Sequence, residues 1–290
     1  MEARFNRLHF LDANAEYADA SLVLLGCPFD GTSTYQPGSR FAPNAIREAS
    51  WAVESYSPDL NRNLSQVAFC DLGDLELPFG NTQRALDLIN QAIDQVLNDH
   101  KVPITLGGEH LISLPVITAF RKHYPDLLVI HLDAHADLRD EYLGERLSHS
   151  TVMRRVLEMI GDSRLIQVGI RSGCQEEFLI ARRIGGEYKT HHKTSQADLE
   201  IIERKIQAQP VYISLDLDVL DPSALPGTGT PEPGGLSFHQ LMQVLSIFRA
   251  ARVVGMDVVE LLPYQTPHQV SSIVAAKIIR EALLLYFASS

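Results

Sequence analysis

The chain has 290 residues, 45% of them hydrophobic and 21% charged, with a formal net charge of −11 and three cysteines. These proportions describe an ordinary globular chain long enough for one large α/β domain, and no apolar run approaches the roughly 18 residues of a membrane helix. The acidic balance weighs against nucleic acid and anionic membranes, whose binding is driven by Lys and Arg, and suits a cationic small molecule. Cys27, Cys70 and Cys174 are odd in number and contain no Cys-x-x-Cys pair, so neither a disulfide framework nor a sulfur metal site is expected. The start, Met1-Glu2-Ala3-Arg4, lacks a signal-peptide layout, and the cytoplasm is the expected location.

Short β-rich runs alternate with helical patterns along the whole chain. Apolar runs over 22–26, 102–106, 127–132, 165–170, 211–217 and 253–259 predict strands, several of them apolar throughout as strands buried on both faces are. Over 81–98, Leu86, Ile89, Ile93, Val96 and Leu97 fall on one helical stripe. A second helix is predicted over 236–250, with Ser237 and Gln240 placed as a capping box, and a third over 269–287. Alternation of this kind implies a mainly parallel sheet with helices on both sides, and such sheets bind ligands beyond the carboxyl ends of their strands. No internal repeat, charged tail or low-complexity linker interrupts residues 1–290, so a single domain is expected. Residues 226–235 are too rich in Pro and Gly for regular structure and read as a rigid loop.

Three of the strand ends carry metal-type ligands: Gly107-Gly108-Glu109-His110, Asp133-Ala134-His135-Ala136-Asp137 and Asp216-Leu217-Asp218. Residues two apart share a face of a strand, so Asp133, His135 and Asp137 can converge, as can Asp216 and Asp218. Four carboxylates gathered together repel one another and take up protons unless comparable positive charge lies among them. Divalent cations supply it. Oxygen donors with some imidazole and no thiolate suit a metal on the hard side, Mn²⁺ above all. Six ligands exceed what one catalytic ion with an open position needs, whereas two ions sharing carboxylates can ready a hydroxide for attack.

These three signatures, with Gly26-Cys27-Pro28-Phe29-Asp30-Gly31, Pro37-Gly38-Ser39-Arg40, Pro43-Asn44-Ala45-Ile46-Arg47 and Asp257-Val258-Val259-Glu260, resemble the ureohydrolase family of arginases and agmatinases. The run 226–235 and Leu147-Ser148-His149-Ser150-Thr151 are most similar to bacterial agmatinases. The resemblance implies a three-layer α/β/α arginase-like fold with a mainly parallel central sheet, two Mn²⁺ ions per chain and a homo-oligomer, trimeric or hexameric. It implies hydrolysis of agmatine to putrescine and urea, with another amidinohydrolase activity, on guanidinobutyrate or arginine, as the alternative. It further implies that His110, Asp133, Asp137 and Asp216 hold one ion and His135, Asp133, Asp216 and Asp218 the other. On the same basis Glu260 pairs with the substrate guanidinium, Asp137 moves a proton from nucleophile to leaving amine, and His149 shuttles protons to solvent.

Other residues carry competing readings. Asp221, before Pro222, reads as a turn former, and Glu109 as a support for a ligand or a turn former. His131 reads as a satisfied core histidine, and His191 and His192 as surface residues. Arg40 and Arg47 read as structural salt bridges or substrate contacts. Arg139 suits a substrate carboxylate, whereas Asp140, Glu141 and Glu145 suit agmatine's distal amine. Leu261-Leu262-Pro263-Tyr264-Gln265-Thr266-Pro267 departs from the family pattern and predicts a more apolar wall beside the substrate.

Overall fold

Side chains leave a strand on alternate faces, and this chain sorts its apolar residues accordingly. In β1 (Leu22–Cys27), Leu22 and Leu24 join one buried cluster, while Val23, Leu25 and Cys27 join a second. In β6 (Leu128–Leu132), Leu128, Ile130 and Leu132 join the first and Val129 the second. The two clusters are the two faces of one sheet.

The computed structural model describes residues 8–184, 196–206, 209–264 and 269–288. The other strands are the short antiparallel pair β2 (Tyr56–Ser57) and β3 (Arg62–Asn63), then β4 (Phe69–Asp74), β5 (Val102–Gly107), β7 (Leu165–Val168), β8 (Pro210–Asp216) and β9 (Arg252–Val259). Among the described residues the main sheet has seven strands in the order β4-β1-β5-β9-β8-β6-β7, every pair parallel.

Helices cover both faces. Ala42 and Ile46 of α1 (Ala42–Ser50), Leu241 and Val244 of α7 (Phe238–Ile247) and Ile278 and Ile279 of α8 (Val270–Tyr286) pack into the first cluster. Ile202 and Ile206 of α6 (Gln196–Ile206) join them. Leu86 and Ile89 of α2 (Thr82–Asn98), Val116 and Phe120 of α3 (Ser113–His123) and Val156 and Ile160 of α4 (Val152–Ile160) pack into the second, with Ala181 of α5 (Gln175–Ala181). Each fully buried Val, Leu, Ile or Phe contributes roughly 1.5–3 kcal/mol, so the apolar strand runs dictate this three-layer α/β/α arrangement. Among the described residues no helix is long and apolar enough to cross a membrane.

All six predicted strands and all three predicted helices form, with ends shifted by two residues or fewer except at the carboxyl end of the 236–250 helix. There α7 stops at Ile247 and a 3₁₀ turn covers Phe248–Ala250. The Ser237 hydroxyl accepts from Gln240 N–H at 3.3 Å while the Gln240 side chain accepts from Ser237 N–H at 2.9 Å, completing the capping box. The sheet also contains β4, which the apolar pattern does not reveal, because Asp71, Gly73 and Asp74 interrupt it. Two of those residues pair with buried Arg47, whose Nε lies 2.8 Å from Asp71 Oδ2 and whose Nη1 contacts Asp74. Arg40 pairs with Asp30 at 3.2 Å, so both arginines make structural ion pairs. His191 and His192 lie outside the described residues.

Candidate metal centre and active site

Sheet order brings distant segments together. β5, β9, β8 and β6 are consecutive neighbours, and their carboxyl ends deliver His110, Glu260, Asp216 and Asp133 to one rim. His110 enters through a turn that only glycine permits. A Cβ on Gly108 would land on the backbone of Phe29, and Gly108 N–H already donates to the Cys27 carbonyl at 3.0 Å. Glu109 N–H donates to the Phe29 carbonyl at 2.7 Å, locking the turn to the segment after β1. Gly108→Ala is expected to cost about 3 kcal/mol, the upper end for overpacking, and to loosen His110. Chemical denaturation measures this; a variant as stable as the wild type would show that the turn relaxes freely.

The ligand-type atoms converge in two groups. His110 Nδ1 lies 3.1 Å from Asp133 Oδ2, 3.2 Å from Asp137 Oδ2 and 3.2 Å from Asp216 Oδ2. His135 Nδ1 lies 3.0 Å from Asp218 Oδ2 and 3.5 Å from Asp133 Oδ1. Asp133 thus belongs to both. Backbone donors orient the carboxylates: Ala134 N–H to Asp218 Oδ1 at 3.0 Å, Asp218 N–H to Asp216 Oδ1 at 2.9 Å, and His135 N–H to Asp133 Oδ1 at 2.5 Å. His110 Nε2 is 3.1 Å from Ser214 Oγ, whose hydroxyl donates to Asp257 at 2.8 Å. The serine oxygen therefore accepts from Nε2–H, leaving Nδ1 as the His110 ring atom that faces the carboxylates.

The protons report the same crowding. Burial would depress the pKa of His110, but Asp133, Asp137 and Asp216 outweigh it and hold the imidazole well above its ordinary value. Burial, reinforced by Asp218 and Asp133, pushes Asp216 well up. Burial also raises Asp218, against the charge of His135. Without cations, the cluster balances its charge by taking up protons. His110 Nδ1 and Asp218 Oδ2 are buried and lack a hydrogen-bond partner, although each faces other ligand-type atoms. Orphaned lone pairs on hard donors fit metal ions, and these residues form a buried His/Asp cluster suited to a dinuclear site.

A cavity of about 230 Å³ opens above the cluster, lined by Thr34, Asp137, Arg139, Tyr142, His149, Glu177, Thr230 and Glu260 among others. Glu260 N–H donates to the Gly108 carbonyl at 2.8 Å, and one carboxylate oxygen accepts from His110 N–H at 2.7 Å. Burial, then the nearby Glu109 charge, pushes the Glu260 carboxyl up to about 8. Asp137 (φ 53°) and Glu260 (φ 64°) both occupy the left-handed region, where side chains other than glycine are strained. His149 N–H donates to Thr32 Oγ1 at 3.1 Å and its ring faces Tyr142 edge-on at 6.3 Å. Burial lowers its pKa below the ordinary value, so the imidazole is neutral near pH 7.

The family model described as the arginase family matches residues 20–285. The chain is 44% identical to an agmatinase of Halalkalibacterium halodurans over 277 residues, covering 95% of each sequence. It is 45% identical to the agmatinase of Bacillus subtilis over 279 residues, again covering 95% of each. The chain belongs to the arginase family. The crystal structure of agmatine ureohydrolase of Thermoplasma volcanium is similar in fold, with a TM-score of 0.87 and 32% identity over 97% of this chain and 94% of that one.

Of the eight residues expected from sequence, His110, His135, Asp137, His149, Asp216 and Glu260 line the cavity of this arginase-family site, and Asp133 and Asp218 lie in the cluster beneath it. Glu109 is a support: its carboxylate accepts from Thr32 N–H at 2.8 Å and from Ser33 Oγ at 3.3 Å, tying down the loop beside the site. Burial pushes that carboxyl up to about 7. Asp221 is the turn former expected, accepting from Ser223 N–H at 3.0 Å and Gly234 N–H at 2.8 Å, and its carboxyl is held at about 2 by hydrogen bonds led by Ser223. The loop 226–235 contributes Thr230 to the cavity wall.

One expectation is sharpened and two change. His131 is the satisfied core histidine expected, and the partner of its Nε2, at 2.7 Å, is the ligand-type carboxylate of Asp133. Period two was the signal, since His131 lies on the face of Asp133. Asp140 pairs with Arg146 and Arg155, and neither it nor Glu141 nor Glu145 lines the cavity; beyond Asp137, Asp216 and Glu260, the acid that does is Glu177. Leu261 and Leu262 are buried, and neither they nor Pro263 and Tyr264 line the cavity, while Gln265, Thr266 and Pro267 of that run lie outside the described residues.

Proposed function

We propose that this single-domain chain is an agmatinase that hydrolyses agmatine to putrescine and urea, using two Mn²⁺ ions. The convergence of two imidazoles and four aspartates at one strand rim, beneath a cavity containing Glu260 and His149, carries the reading, and the agmatinase relatives support the substrate. His110, Asp133, Asp137 and Asp216 would hold one ion and His135, Asp133, Asp216 and Asp218 the other. Bound there, the ions supply the Lewis acidity that makes water nucleophilic near neutral pH. Glu260 orients the planar guanidinium by a two-pronged charge-assisted contact. Asp137 accepts the proton released as the nucleophile adds and returns it to the leaving amine, so the C–N bond breaks to urea and a protonated amine. A cytoplasmic homo-oligomer, trimeric or hexameric, completes the proposal.

Arg139 bears on the alternative substrates. Its Nε lies 3.5 Å from Glu177 and its guanidinium lies 5.0 Å from the Tyr142 ring centroid. A charge already matched this way is a poor receptor for a substrate carboxylate, which favours an amine-tailed guanidine. Urea release from agmatine, arginine and guanidinobutyrate tests the choice on Mn²⁺-loaded protein. Agmatine is expected to have the highest kcat/KM; activity on another guanidine without activity on agmatine would overturn it.

His149 is proposed to carry protons between Asp137 and solvent. His149→Asn is expected to keep both ions while kcat falls on the order of 10²-fold, the lower range for acid–base catalysis. The acid limb of the kcat profile is expected to vanish with it, because the neutral imidazole is the form that accepts a proton, while the limb of kcat/KM that Glu260 sets is expected to remain. An unchanged profile would remove His149 from the mechanism.

A further inference from the structure

Asp133 is held from behind by two residues outside the proposed ligand set. His131 stands two positions earlier on β6, and Gln167 stands opposite it in register on β7. His131 Nε2 is 2.7 Å from Asp133 Oδ2, and Gln167 Nε2 is 2.9 Å from His131 Nδ1 and 2.8 Å from the Ala136 carbonyl oxygen. All three side chains are buried.

The Ala136 carbonyl decides where the hydrogens are. A carbonyl only accepts, so the Gln167 atom beside it is the NH₂ group, whose second N–H points at His131 Nδ1. That ring nitrogen must then accept, and the ring hydrogen sits on Nε2, donating to Asp133. The reversed amide would press oxygen against oxygen in a dry interior, where unmatched polar contacts are most costly. Gln167 Oε1 is left buried without a hydrogen-bond partner, a sacrifice that packing alone does not require.

We infer that Gln167 and His131 form a positioning relay that keeps one N–H aimed at Asp133, fixing the carboxylate so that its remaining lone pairs face both ion positions. The inference rests on the reading of Asp133 as a shared ligand. Neutron diffraction from deuterium-exchanged protein is expected to place deuterium on His131 Nε2 and none on Nδ1; deuterium on Nδ1 overturns the relay. In Mn²⁺ titrations against a competing chelator, Gln167→Met and His131→Leu are expected to bind about 10–100-fold more weakly than wild type. His131→Gln, whose amide can still donate, is expected to recover part of the loss, and the KM of Mn²⁺-saturated protein to stay unchanged. Should His131→Leu not fold, Gln167→Met carries the comparison, and affinity within about threefold of wild type overturns the proposal. A wild-type chain that takes up no Mn²⁺ sinks the ligand assignment instead, while the neutron map still decides the hydrogen placement.

Discussion

Asp133→Asn is expected to lower kcat by at least ~10³-fold, because it removes one of the two carboxylates, with Asp216, assigned to both ion positions. Asp133 Oδ2 lies 3.1 Å from His110 Nδ1 and Oδ1 lies 3.5 Å from His135 Nδ1, so neither group of ligands is intact without it. Geometry compounds the lost charge. Both oxygens already accept hydrogen bonds, one from His131 Nε2 and one from His135 N–H. Asparagine must set its NH₂ against one of them, donor facing donor in a buried position. Thermal stability separates this from general damage. Metal that binds only the folded state stabilises it by about 2.7 kcal/mol at a hundred times Kd, and that Mn²⁺-dependent rise in Tm is expected to disappear in the variant. In EDTA the variant is expected to melt below the wild type, since against the effect of burial His131, His110 and His135 hold the Asp133 carboxyl well below its ordinary range and favour its charge, so the shared role is read from the Mn²⁺-dependent rise and not from the metal-free Tm. A variant with a tenth of wild-type activity and the full Mn²⁺-dependent rise would disprove the shared role.

What sequence makes legible here is what local spacing determines. The strands are visible because a parallel sheet covered on both sides needs apolar residues on both faces, and the Asp-x-His-x-Asp and Asp-x-Asp spacings are visible because alternation sends residues two apart the same way. Cross-strand partnership is not local. His131 faces Gln167, 36 positions away, and Arg139 meets Glu177, 38 positions away; both pairings depend on where β7 and the segment after it lie. β4 hides because its outer end serves Arg47 through carboxylates, where a central strand would be apolar. The left-handed backbones of Asp137 and Glu260 also leave no trace, since glycine, the residue that normally advertises that conformation, is absent from both positions.

Glu260→Gln is expected to reduce kcat/KM on the order of 10²-fold, about 3 kcal/mol, within the range for truncating one member of a buried, hydrogen-bonded charge pair. The side chain is 8% exposed, and its backbone is pinned by the Gly108 carbonyl at 2.8 Å, so glutamine has little freedom to seek another pose. One carboxylate oxygen is committed to His110 N–H at 2.7 Å. Glutamine can keep that bond through its own oxygen, but then presents NH₂ where the guanidinium needs an acceptor, and the attraction becomes donor against donor. The ion ligands are untouched, so metal content is expected to stay at the wild-type level. The pH profile gives a second readout. Burial and Glu109 raise the Glu260 carboxyl to about 8 in the protein alone, and the guanidinium requires the ionised form. Wild-type kcat/KM is therefore expected to climb as pH rises toward that value, with bound cations moving the climb to lower pH, and the glutamine variant is expected to lose this limb. Retention of wild-type kcat/KM within about threefold, with the limb intact, would take Glu260 out of substrate recognition.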